Sequence, residues 1–130
     1  MRSSTFNYPL NKRWQKREAY PHKTDKTVAD PEQEMPRAMG GLYTTPSDMS
    51  KILVELMQVY AGHSGKIISK RTLSEMFTNE ALVPPDALAG LSLEMGLGVF
   101  LDTSGGTLAF LHHGHNSPGT VFLIFAILQM

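Results

Sequence analysis

The chain of 130 residues is the length of one domain or of part of a larger one, and at 42% hydrophobic and 18% charged it can bury a core. Its 12 Lys and Arg balance 12 Asp and Glu, so no global field favours nucleic acid or an acidic lipid surface. The absence of Cys excludes a disulfide scaffold and a thiolate metal site, and the longest apolar run, Val121 to Leu128, is too short to span a bilayer.

The neutral total hides an asymmetry. Residues 1–26 carry seven bases against two acids (+5), and residues 27–130 carry five bases against ten acids (−5). Met1 is followed by Arg2-Ser3-Ser4 with no apolar core behind it, so no export signal is expected in this chain and the compartment stays open.

In chain order, residues 1–37 show no sustained periodicity, and Pro9, Pro21, Pro31 and Pro36 break any long helix. An extended excursion is expected there, lying over a folded body because Phe6, Tyr8, Leu10, Trp14 and Tyr20 need cover. Residues 38–80 read as a helical segment. Thr45 is a candidate N-cap, Pro46 fits the first helical position and Asp48 closes a capping box. Met49, Ile52, Leu53, Leu56 and Tyr60 follow at helical spacing, and Gly62 is a natural stop. A shorter helix is expected from Ser69, with Leu73, Met76 and Phe77 on one face, before Pro84-Pro85 ends the region.

Residues 92–130 read as antiparallel strands. Leu93, Met95, Leu97, Val99 and Leu101 alternate with Glu94, Gly96, Gly98, Phe100 and Asp102, which predicts one strand, and Asp102 to Gly106 predicts a turn. A second strand is expected from about Thr107 to His113, a turn at Asn116-Ser117-Pro118-Gly119, and a third strand from Thr120 to Leu128. The class is α+β, a single partial domain with an antiparallel sheet of about three strands preceded by two helices. The last strand is apolar on both faces and has no successor, so edge-to-edge self-association is expected.

Three of the five histidines, His112, His113 and His115, fall within four residues. His113 and His115 have the H-x-H spacing of a zinc pair, but only Asp102, across the presumed hairpin, offers a nearby carboxylate. A polar strand end with solvated imidazoles is the simpler account, and neither a metal nor another cofactor is expected. The basic front, with Tyr8, Trp14 and Tyr20 interleaved, invites a nucleic-acid reading. Seven bases in 26 residues with no RNA-binding signature fit a solvated loop face better, so no nucleic-acid partner is expected. Gly40-Gly41 suits close backbone packing better than a phosphate cradle, and Met49, Met57 and Met76 suit a core.

Four segments carry a resemblance to a known family. Met39-Gly40-Gly41-Leu42-Tyr43-Thr44-Thr45-Pro46-Ser47-Asp48-Met49 resembles the "aGGLyTTPsDm" segment of the serine beta-lactamase-related family. Ser3-Ser4-Thr5-Phe6 with Pro9-Leu10 resembles the segment that precedes it there, and Gly96-Leu97-Gly98-Val99-Phe100 resembles the family's "yGlGw" strand. His112-His113-Gly114, followed by Asn116 and Pro118-Gly119, resembles the third motif, written K-T-G or H-x-G. The family includes class C beta-lactamases, penicillin-binding DD-peptidases and related esterases, and the four segments together cover essentially the whole chain.

The resemblance implies a Ser in S-x-x-K that forms an acyl-enzyme, with that Lys and the Tyr of Y-x-N moving protons. No Ser here is followed three positions later by Lys, and no Tyr two positions later by Asn. By family order both motifs precede Met1, and the family's last strand and helix follow Met130, so the chain is expected to be an internal fragment without activity of its own. The same resemblance puts His112 in the place of the motif's cation and makes Gly114 the residue that opens the strand edge to substrate. It gives His115 N–H the part of an oxyanion-hole donor and turns His113 away from the pocket. The implied substrate is a small molecule or a peptidoglycan-type peptide, and the family is often exported. The alternatives are a non-catalytic binding module of the same fold and a His-cluster metal protein.

Overall fold

The computed structural model describes residues 1–29, 40–63, 65–78, 80–84, 93–116 and 120–127, with backbone alone for residues 115–116 and 120–127. The chain divides into two compact units, Met1–Met49 with His113–Phe122, and Ser50–His112 with Leu123–Met130.

In the first unit, a short helix α1 (Lys12–Gln15) starts where Asn11 accepts the backbone N–H groups of Arg13 and Trp14, each at 3.1 Å. Two orphan donors of the first turn are thereby satisfied. The guanidiniums of Arg13 and Arg17 lie 5.6 and 5.7 Å from the centre of the Trp14 ring. Farther on, Lys23 N–H donates to Thr27 O at 2.8 Å, Lys26 takes φ +66°, and His22 bridges Val28. The front of the chain is therefore less featureless than its sequence suggests: prolines forbid a long helix but not one capped turn. Leu10 is buried and Trp14 half-buried, whereas Phe6, Tyr8 and Tyr20 stay exposed, and Tyr8 stacks instead on Tyr43 at 6.3 Å.

Helix α2 (Pro46–Tyr60) begins at the expected place. Thr45 Oγ1 accepts Asp48 N–H at 3.3 Å, and Thr45 O accepts Met49 N–H at 3.0 Å. It ends as expected too: Gly62 takes φ +83°, its N–H reaches Val59 O at 3.0 Å and His63 N–H reaches Gln58 O at 2.8 Å. That paired closure needs a left-handed residue, which glycine adopts without strain. Within the second unit, Glu55 is buried and its Oε1 accepts the N–H groups of Lys66 at 2.9 Å and Ile67 at 3.3 Å, tying the following loop to the helix. Helix α3 (Lys70–Met76) is capped by Ser69, which accepts Thr72 N–H at 3.1 Å.

Among the described residues the sheet has five strands in the order β1-β2-β3-β4-β5: β1 (Ala81–Leu82), β2 (Glu94–Met95), β3 (Phe100–Asp102), β4 (Ala109–Asn116) and β5 (Thr120–Ile127). The pairs β1–β2, β2–β3 and β3–β4 are antiparallel. The single strand expected from Leu93 to Leu101 is instead a hairpin, with Met95 opposite Phe100 and Gly96 N–H donating to Val99 O at 2.9 Å. Gly98 takes φ +74° in its loop, so the glycines that completed the apparent alternation are the residues that fold it back. This hairpin and the two-residue β1 account for five strands where three were expected.

Packing follows the period of two. On one face Val99, Leu101 and Phe110 are buried against Leu53, Leu56, Tyr60 and Phe77, with the Phe77 and Phe110 rings 4.9 Å apart. On the other, Val83, Leu93 and Leu111 pack with Met95 and Phe100. Each such side chain contributes about 1.5–3 kcal/mol on burial, which outweighs any single cap in the fold.

The β3–β4 turn is held by Asp102, whose Oδ1 accepts Ser104 N–H at 2.9 Å and the Ser104 hydroxyl at 2.6 Å. The hydroxyl bond, followed by the N–H bond, holds the Asp102 carboxyl below its ordinary pKa of 3.8. A carboxyl depressed by folding stabilises above its unfolded pKa and loses that contribution as pH falls through the folded value. Asp102→Ala should therefore lower stability by about 0.5 kcal/mol at pH 7, a small amount because water competes at an exposed turn. Urea melts at pH 7 and pH 2 check this: the gap between wild type and variant should narrow as pH falls below 3.8, and an unchanged gap would contradict the role.

Candidate functional site

Of the residues singled out by the third-motif resemblance, His112 to Asn116 stand on β4. That strand was expected to end near His113, but it continues to Asn116, so His112-His113-Gly114-His115 lies inside it. The described β3–β4 register ends at Phe100 opposite Leu111, and residues 112–116 continue beyond it. Side chains alternate along β4, with Phe110 in one buried cluster and Leu111 in the other. His112 is exposed, with its ring 6.3 Å from that of Phe100 and tilted by 46°. His113 is half-buried and its Nδ1 is enclosed, and Gly114 is half-buried. His115 contributes a strand backbone position; of the turn expected at Asn116-Ser117-Pro118-Gly119, Asn116 is instead the last residue of β4 and residues 117–119 lie outside the described residues.

The two front segments, quoted separately from sequence, meet in the first unit. Thr5 N–H donates to Tyr43 O at 2.9 Å and Tyr43 N–H to Thr5 O at 3.0 Å. Next to this bridge, Asp48 is 2% exposed, and its Oδ2 accepts Ser3 N–H at 2.6 Å and the Ser4 hydroxyl at 2.9 Å. Ser4 Oγ and Thr44 Oγ1 are 2.7 Å apart. A buried carboxylate needs such donors to offset its lost hydration. Its chemical capacity is that of an anchor, fastening the chain's first residues to the start of α2. Sequence reading assigned Asp48 to the helix cap alone. An acidic residue at the third helical position gives no sign that it also binds a segment 45 residues earlier.

Tyr43 has its phenol pushed above the ordinary value of 10.0, first by burial and then by the negative charge of Glu18, with Tyr8 adding a lesser share. Among the described residues no group of three or more His, Cys, Asp or Glu is placed to hold a metal ion, and the His115 side chain is not among them. No described helix is long and apolar enough to cross a membrane.

A family model described as Beta-lactamase matches residues 1–127. No curated protein and no solved structure gives a match. The matched span contains the Ser3–Asp48 anchor, the Gly96–Phe100 hairpin and the His112-His113-Gly114 strand, and its α+β elements are those of a partial domain of that kind. The chain belongs to the Beta-lactamase family.

Proposed function

We propose that this chain builds one wall of the active site in a serine hydrolase that cleaves a beta-lactam, a peptide or an ester through an acyl-enzyme. The observation that supports it is the family match over residues 1–127 together with the H-x-G triplet carried within strand β4. The nucleophilic Ser of S-x-x-K and the Tyr of Y-x-N are not among these 130 residues, so the proposal assigns both to a further segment of the parent protein.

In this reading the Ser oxygen adds to the substrate carbonyl, and its proton passes through the Lys–Tyr pair to the leaving group. Water then adds to the acyl carbonyl and releases the acid. His112 offers an N–H to the catalytic Tyr or to a substrate carboxylate. Gly114 leaves the strand edge without a side chain where the substrate lies. The His115 N–H is one of the two donors to the oxyanion, a type of contact whose loss costs about 10²–10³ in rate. A non-catalytic binding module is the second reading, favoured by the missing Ser-x-x-Lys. Treatment of the parent protein with an active-ester or beta-lactam probe separates them, since only the hydrolase forms a covalent adduct.

A further inference from the structure

The front of the chain holds a second feature that the hydrolase reading does not use. In the first unit, a cavity of about 190 Å³ is lined by Tyr8, Pro9, Leu10, Gln15, Glu18 and Tyr20. One water occupies roughly 30 Å³ in the liquid, so the space suits a small organic group rather than a polymer.

Apart from the two tyrosine hydroxyls, its polar side chains offer acceptors. Gln15 Nε2 donates to Leu10 O at 2.7 Å, which fixes the side-chain amide and leaves its Oε1 as an acceptor. Glu18 is half-buried and, among the described residues, its carboxylate makes no ion pair. The nearby bases Arg13 and Arg17 sit over Trp14 instead. The rest of the lining is aromatic. Tyr20 is exposed, and Tyr8 is backed by Tyr43 in a stack with 12° between the rings. Glu18 lies close enough to act on the Tyr43 phenol, so carboxylate and rings share one neighbourhood. A carboxylate, an amide oxygen and tyrosine faces together attract a cation with N–H donors; the phenol O–H groups of Tyr8 and Tyr20 could donate to an anion, but the Glu18 carboxylate beside them repels it. The +5 charge of residues 1–26 opposes a cation: its distant part is screened beyond about 8 Å at physiological salt, and the nearer Arg13 and Arg17 are the repulsion that Glu18 has to offset.

We propose that the Tyr8–Gln15–Glu18–Tyr20 cavity is a binding site for a primary alkylammonium group, held by Glu18 and Gln15 Oε1 against the tyrosine rings. The site is independent of the acyl-transfer reading and can be tested on the 130-residue chain.

The experiment is a titration of the chain with n-propylammonium, 1-propanol and propionate, followed by amide NMR shifts at residues 8–20. Propylammonium should bind at least tenfold more tightly than propanol, with propionate silent. Glu18→Gln should weaken propylammonium about tenfold and leave propanol unchanged, and Tyr20→Leu should weaken it severalfold. Circular dichroism melts confirm that each variant is folded. If Glu18→Gln disturbs folding, the contrast among the three probes on the wild-type chain still decides. Equal binding of propanol and propylammonium, shifts induced by propionate, no saturable binding of propylammonium, or a folded Glu18→Gln variant with wild-type affinity would overturn the site.

Discussion

In the proposed parent hydrolase, His112→Ala should lower turnover on the order of 10²-fold, the scale seen when a preorganised donor is removed from an acyl-transfer site. His113→Ala should change turnover by less than about threefold. Strand alternation puts residues 112 and 114 on one face of β4 and residue 113 on the other. Exposure agrees with a division of labour, since His112 is open to solvent while His113 is half-buried with its Nδ1 enclosed. His113→Ala should instead appear as a stability loss of about 1 kcal/mol, the usual scale for trimming a partly buried side chain. Steady-state kinetics beside thermal melts test both halves. Equal losses of turnover at the two positions would mean that the assumed face of β4 is wrong.

Gly96→Ala should be the most damaging single methyl in the second unit, lowering stability by about 3 kcal/mol. A Cβ there would lie far inside van der Waals contact of the Met76 carbonyl oxygen, and 3.3 Å from both Leu101 Cδ1 and Val99 Cγ2. That carbonyl also accepts Leu97 N–H at 3.0 Å, so backbone meets backbone where the β2–β3 hairpin rests against the end of α3. Backbone cannot rotate aside as a side-chain tip can. Gly98→Ala is the control. Its neighbourhood is open, but its φ of +74° disfavours a side chain, so about 1 kcal/mol is expected. Chemical denaturation of both variants checks the order. A Gly98→Ala loss as large as that of Gly96→Ala would show that turn conformation, not the close approach to Met76, makes Gly96 necessary.

These two glycines also show how far the sequence could be read. Helix α2 was legible at both ends because its signals are local: Thr45 and Pro46 at the start and Gly62 at the stop act on residues within a turn of themselves. The Gly96–Gly98 hairpin was not, because a hydrophobic alternation continued across it and looked like one strand. Gly98 makes the bend, and the distant Met76 carbonyl is what leaves no room for a side chain at Gly96. The motif segments could be quoted one by one, and the strand expected from about Thr107 to His113 was legible, though β4 runs on to Asn116. The contact between Ser3, Ser4 and Asp48 was invisible because it joins polar residues far apart in sequence, and nothing in their spacing couples them. The Glu18 cavity was hidden for a related reason. Its aromatic residues looked like core, yet Tyr8 and Tyr20 are exposed.

The central claim is that these residues form the wall of an acyl-enzyme site whose nucleophile lies in another segment of the parent. Intact-mass spectrometry after incubation with a beta-lactam or active-ester probe tests it most directly, on the 130-residue chain and on the parent protein side by side. The account predicts one acyl group per molecule on the parent, lost when the Ser of S-x-x-K is replaced, and no adduct on this chain. A stoichiometric adduct on this chain alone, or a folded parent that takes up no acyl group, would contradict it.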